Sequence, residues 1–124
     1  MNCNTVNNSP QLIDKINTFN IKIETCPHEL YELATFLRRH PVLCPGKQIS
    51  NSDLLQAKMI HEIELKIQKK LSGLNGVKSI RFNYYELAII KAFYHDNAII
   101  EIRVEFPQMV RLVTKVDQAI PEFH

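Results

Sequence analysis

Cys26-x-His28 and His40-x3-Cys44 bring two thiols and two imidazoles into one short stretch of a 124-residue chain. Cys and His pairs at such spacings are the raw material of a tetrahedral zinc site. The residues between them argue against a shared ion. Residues 27–39 carry a helical pattern, and at 1.5 Å per residue a helix would hold His28 and His40 roughly 18 Å apart. Four ligands cannot meet on one ion across that distance, so no metal ligand and no cofactor is assigned. His40 reads better as the cation at a helix C-terminus, just ahead of Pro41. Cys26 alone has a sharper chemistry. A thiol at a helix N-terminus has a stabilised thiolate, and His28 two residues on would suit a nucleophile or a redox sensor. No orienting acid or oxyanion loop accompanies it, and a structural Cys is the plainer expectation.

Other catalytic signatures do not assemble. "HEIEL" at residues 61–65 has Leu65 where a zinc-protease motif needs its second His. No Glu-x-x-His pair for a di-iron bundle occurs. Three glycines, at 46, 73 and 76, are too few for a phosphate-cradling loop. No catalytic residue is assigned, and the expected protein is not an enzyme.

Fifteen basic and thirteen acidic residues leave a net charge of +2, too balanced to require nucleic acid or an anionic membrane as partner. Local clusters are another matter. Arg38, Arg39 and His40 fall together with Lys47, and Lys66, Lys69, Lys70, Lys78 and Arg81 gather near the end of one helical pattern. Either cluster could make salt-sensitive phosphate contacts. The connector beyond Arg39 is too long for the turn of a helix-turn-helix, which needs about four residues.

The location suggested is a reducing cytoplasm, since three Cys is an odd number without a disulfide spacing. The head of the chain, "MNCNTVNNSP", lacks the apolar core of a secretory signal. No apolar run approaches the ~18–20 residues of a membrane span. Hydrophobic content of 45% against 23% charged is that of a folded globular domain. One domain over 1–124 is expected, with residues 1–8 disordered.

The elements that would position these side chains appear twice. "KIETCPHELYELATFLRRH" (22–40) and "SIRFNYYELAIIKAFYHDN" (79–97) share Glu29-Leu30 and Glu86-Leu87, with Ile23 or Ile80 six before the Glu and Phe36 or Phe93 seven after. Asn83 three before Glu86 is a capping box, with Phe82 and Leu87 placed as a hydrophobic staple. Cys26 is a poorer cap, but Pro27 suits the first helical position. Ile60, Ile63, Ile67, Leu71 and Leu74 then make a long helical stripe, and Met109, Leu112, Val113, Val116 and Ile120 make another after Pro107. These second stripes align Lys66-Ile67 with Lys115-Val116. The expected fold is therefore all-α, a small helical bundle of two duplicated helical hairpins (21–75 and 78–121). An N-terminal helix capped at Ser9 precedes them. Helix 84–95, apolar nearly all round, is expected at the centre.

Residues 98–106 resist that picture. Ile100, Ile102, Val104 and Phe106 alternate with charges as in a strand, so the alternative is α+β with a short sheet using 98–106. "IKIE" at 21 and residues 77–82 would be its partners. Ile102 and Phe106 fit equally a helix leading to a kink at Pro107.

Leu54 and Leu65 lie off the main stripe of the long helix, with Lys58 between them. Either the N-terminal helix covers them or they form, with Lys58, Arg38 and Arg39, a surface for a partner. The function this suggests is a small non-enzymatic protein–protein interaction module, the format of adaptors, inhibitors and immunity or anti-defence proteins. Its partner would be another protein or a second copy of the chain. The alternative is a nucleic-acid-binding accessory that uses the basic clusters at helix ends. No membrane partner is expected.

Overall fold

The computed structural model describes residues 3–39, 50–73 and 76–120. In chain order these form α1 (Cys3–Thr18), β1 (Asn20–Glu24), α2 (Pro27–Leu37), α3 (Asn51–Leu71), β2 (Ser79–Asn83), α4 (Tyr84–Asn97), α5 (Ile100–Glu105) and α6 (Pro107–Ala119). The fold is a mostly helical bundle with one two-stranded sheet among the described residues. None of the described helices is long and apolar enough to cross a membrane. Part of the connector after Arg39, with His40, Cys44 and Lys47, lies outside the described residues, as does Leu74.

The sheet differs from the one the alternation at 98–106 suggested. β1 pairs antiparallel with β2, Ile23 facing Ile80 and Lys22 facing Arg81, so the two lead-ins pair with each other. Residues 100–105 are helical instead, with Ile102 turned toward the core. Ile100 and Val104, one helical turn apart, stand 70% and 76% exposed, which is why the apolar residues alternated without marking a buried strand face. Pro107 then opens α6.

Each helix start has an identifiable cause. Asn83 accepts from the Glu86 amide at 2.8 Å while the Glu86 carboxylate accepts from the Asn83 amide at 2.8 Å, the reciprocal capping box. Ser50 caps α3 by accepting from the Asp53 amide. Cys26 makes no side-chain cap for α2, where Pro27 takes the first position. The start of α6 is capped from outside its own sequence. Glu32 of α2 accepts from the amides of Gln108 and Met109 at 2.8 and 3.1 Å. That supplies negative charge at the positive end of the helix dipole. α1 begins at Cys3, taking in Ser9, Pro10 and the residues 3–8 expected to be disordered.

α2 and α4 each pack against both α3 and α6. Leu30, Leu33, Phe36 and Leu37 of α2 are buried with Ile60, Ile63 and Ile67 of α3. Leu87, Ile90 and Phe93 of α4 are buried with Met109, Leu112 and Val116 of α6. The rings of Phe36 and Phe93 meet at 5.0 Å between centroids, in the range of favourable tilted pairs. α2, not α4, is the most enclosed helix. α4 buries only Leu87, Ile90 and Phe93, because Tyr84, Tyr85 and Tyr94 sit at the rim with polar tips that water can reach.

Two ion pairs tie the bundle internally. Lys115 of α6 reaches the buried carboxylate of Glu29 in α2 (Nζ–Oε1 3.1 Å), where the Thr25 hydroxyl donates as well. Lys66 of α3 reaches Glu86 of α4 (Nζ–Oε1 2.9 Å) and lies over the Phe82 ring. No buried side-chain polar atom among the described residues lacks a partner.

Leu30 and Leu87 are both fully buried at the centre of the packing. Leu30→Ala and Leu87→Ala should each cost about 2–5 kcal/mol, and by similar amounts. Urea unfolding of the two variants checks this. A large loss in one and tolerance in the other would contradict the equal burial.

Candidate functional site

Arg38 and Arg39 follow the end of α2, and the bundle answers both charges internally. The Arg38 guanidinium donates to Glu64 of α3. Arg39 holds Glu105 of α5 in a two-pronged pair, Nη1–Oε2 2.8 Å and Nη2–Oε1 2.5 Å, and stacks its guanidinium 4.7 Å from the Phe106 ring centre. The hydrogen bonds from Arg39 hold the Glu105 carboxyl below its ordinary range against some desolvation, with a smaller contribution from the charge itself. Asp117 is lowered in the same way by its hydrogen bond from Lys91, with added attraction from Lys91 and His95. These arginines fasten α2 to α3 and α5.

Leu54, Lys58 and Leu65 share a face of α3, turned away from Ile60, Ile63 and Ile67. Leu54 is 49% and Leu65 53% exposed, and Lys58 is exposed between them. Residues 11–18 of α1 contribute no buried side chain.

The second basic cluster converges. Lys66, Lys69 and Lys70 at the end of α3 face Lys78 and Arg81 across a concave groove of about 770 Å³, and Lys22 of β1 joins them. The antiparallel register accounts for Lys22. β1 buries Ile23 and turns Lys22 outward, β2 buries Ile80 and Phe82 and turns Arg81 outward, and the pairing sets the two cations directly opposite. Only Lys66 of the six has an ion-pair partner among the described residues. No carboxylate among the described residues lines the groove. Lys69 and Lys70 gain something from the negative end of the α3 dipole, whereas Lys22 and Arg81 have no such compensation. Like charges directly opposite on a sheet repel, so this arrangement costs stability unless an anion lies between them.

A second, smaller groove of about 520 Å³ adjoins the first, sharing Lys22, Lys78 and Ser79 with it and adding Glu24, Cys26, Glu29 and Lys115. Cys26 is partly exposed there and His28 is exposed. Among the described residues no three or more His, Cys, Asp or Glu side chains gather closely enough to hold a metal ion.

Of the residues singled out in the sequence, the structure thus unites Lys66, Lys69, Lys70, Lys78 and Arg81. Lys22 went unnoticed, although its outward position follows from the alternation of "NIKIE". In chemical terms the groove can hold several phosphate-like anions at once, and it presents no nucleophile beside a base. No known protein family matches this chain, and neither does any curated protein or any solved structure.

Proposed function

We propose that the protein is a small non-enzymatic binding module whose ligand is nucleic acid, held by its phosphates in the groove between α3 and the sheet. One observation carries this: six cations line the groove without a carboxylate among the described residues, two of the six opposed across the strand pair. An acidic protein is the less suitable ligand. Protein interfaces centre on aromatic anchors and are poor in Lys, whereas this lining is rich in Lys and has no aromatic side chain among the described residues. The same lack of an aromatic platform removes base stacking, the main device for gripping single strands. Contact through phosphates alone favours duplex and reads no sequence.

Binding of a fluorescent DNA duplex, followed by anisotropy between about 50 and 200 mM salt, tests this reading. The affinity should fall steeply, with a log–log slope near −0.9 for each phosphate engaged. Lys69→Glu combined with Lys70→Glu should weaken binding at least about tenfold and flatten that slope by about two. Absence of binding at 50 mM salt overturns the proposal.

A protein partner, such as a second copy of the chain, remains the reading favoured by the half-exposed Leu54 and Leu65. Leu54→Ser and Leu65→Ser should each cost no more than about 1 kcal/mol, because each side chain is only about half covered. A change in sedimentation on making either substitution would identify this face as a contact between copies.

The Arg39–Glu105 pair makes a separate prediction about pH. The folded Glu105 carboxyl titrates below its ordinary value of 4.5, so its contribution to stability is present above that value. The contribution disappears as pH falls through the lowered folded value. Both side chains are about half exposed, so the effect is small and screened by salt. Glu105→Gln should therefore lower the urea midpoint at pH 7, by an amount that shrinks as the pH is brought below the ordinary carboxylate range.

A further inference from the structure

We infer that the chain is one strand–helix–helix unit built twice about a two-fold axis, and that each copy carries the same groove, only one of which has the full set of cations. The second clause rests on the nucleic-acid reading of the larger groove. The first rests on geometry alone.

Aligning Ile23 with Ile80 pairs Lys22 with Ser79 and Glu24 with Arg81 as equivalent residues. In the sheet Ile23 lies directly opposite Ile80, and the flanking rungs are Lys22–Arg81 and Glu24–Ser79. Exchanging the two copies turns each of these rungs into the other. The next rung on one side is Ile21–Phe82, and its counterpart is Thr25 with Lys78, where the Thr25 amide donates to the Lys78 carbonyl at 3.0 Å. A two-fold axis through the Ile23–Ile80 rung has this property.

The ion pairs obey the same operation. Glu29 and Glu86 are equivalent, and so are Lys66 and Lys115. Glu29 of the first copy takes Lys115 of the second, and Glu86 of the second takes Lys66 of the first. The equivalent rings of Phe36 and Phe93 touch each other, as residues near a two-fold axis do.

The two grooves are related by this axis. Lys22, Ser79, Lys66 and Arg81 line the larger one, and their counterparts Ser79, Lys22, Lys115 and Glu24 all line the smaller. What differs is charge. Arg81 is matched by Glu24, Lys69 and Lys70 at the end of α3 are matched by Gln118 and Ala119 at the end of α6, and Lys78 is matched by Ile21. Arg81 and Lys69 are the two whose exchange is tested.

A charge exchange tests this. Lys69→Gln with Arg81→Glu writes two residues of the other copy into the larger groove. Adding Glu24→Arg with Gln118→Lys writes those two cations into the smaller groove's copy and restores the original net charge of +2. All four side chains are exposed, so folding should persist, and circular dichroism checks it. On a 16-base-pair DNA duplex at about 50 mM salt, the first variant should bind at least about tenfold more weakly than wild type. The exchanged protein should return to within about threefold. A control restores the same charge elsewhere, adding Glu101→Arg and Ser52→Lys to the first variant, and it should stay weak. Ser52 lies on α3 seventeen residues before Lys69, roughly 26 Å along the axis at 1.5 Å per residue. An exchanged protein that binds no better than the first variant overturns the inference, and so does a control that recovers equally. If the wild type binds no duplex, the nucleic-acid reading fails and the equivalence of the grooves as anion sites fails with it.

Discussion

The pairing of β1 with β2 is the constraint on which the rest of the bundle depends. Two five-residue strands are marginal on their own in water. They hold because one face, with Ile21, Ile23, Ile80 and Phe82, lies on the helices. In return the ladder fixes where α2 and α4 begin, since each helix starts within three residues of its strand. It also sets the outward face, where Lys22 and Arg81 meet. A shift of one residue in register would turn the apolar residues of one strand to water, Ile21 and Ile23 or Ile80 and Phe82, and would separate Lys22 from Arg81.

Glu29 and Glu86 hold the next level of order. Each occupies the third position of its helix, where a carboxylate favours the helix N-terminus, and each also reaches a Lys on a helix from the far side of the core. Removing Lys115 would leave the buried Glu29 carboxylate uncompensated, whereas the Lys66–Glu86 pair is partly open to water, so these contacts specify which helices pack together more than they add stability. The Arg39–Glu105 pair lies at the other end of α2 and is exposed, a lighter fastening of α5 to the bundle.

Local features of this fold were legible in the sequence, and features set by register were not. The Asn83–Glu86 box and the stripes at 60–67 and 109–116 are short-range patterns, and each appears where its spacing predicts. Residues 98–106 left strand and helix both open, because a single helical turn can show alternating apolar residues when half of them face water. Arg38 and Arg39 looked free because their partners, Glu64 and Glu105, lie 26 and 66 residues away. The basic cluster could be listed from the sequence, but its convergence could not. Lys22 joins it only through a strand partner far along the chain.

That distance has a further consequence during synthesis. Ile80 leaves the ribosome 57 residues after Ile23 (80 − 23), about 3–11 s later at 5–20 residues per second. Throughout that interval β1 has an open edge, and the apolar faces of α2 and α3 have only each other to pack against. The nascent first half is therefore a species with an unpaired strand and half a core, open to capture by a chaperone or by a neighbouring nascent chain of the same kind. Because the missing half resembles the half already made, such a neighbour would offer it a near-native partner.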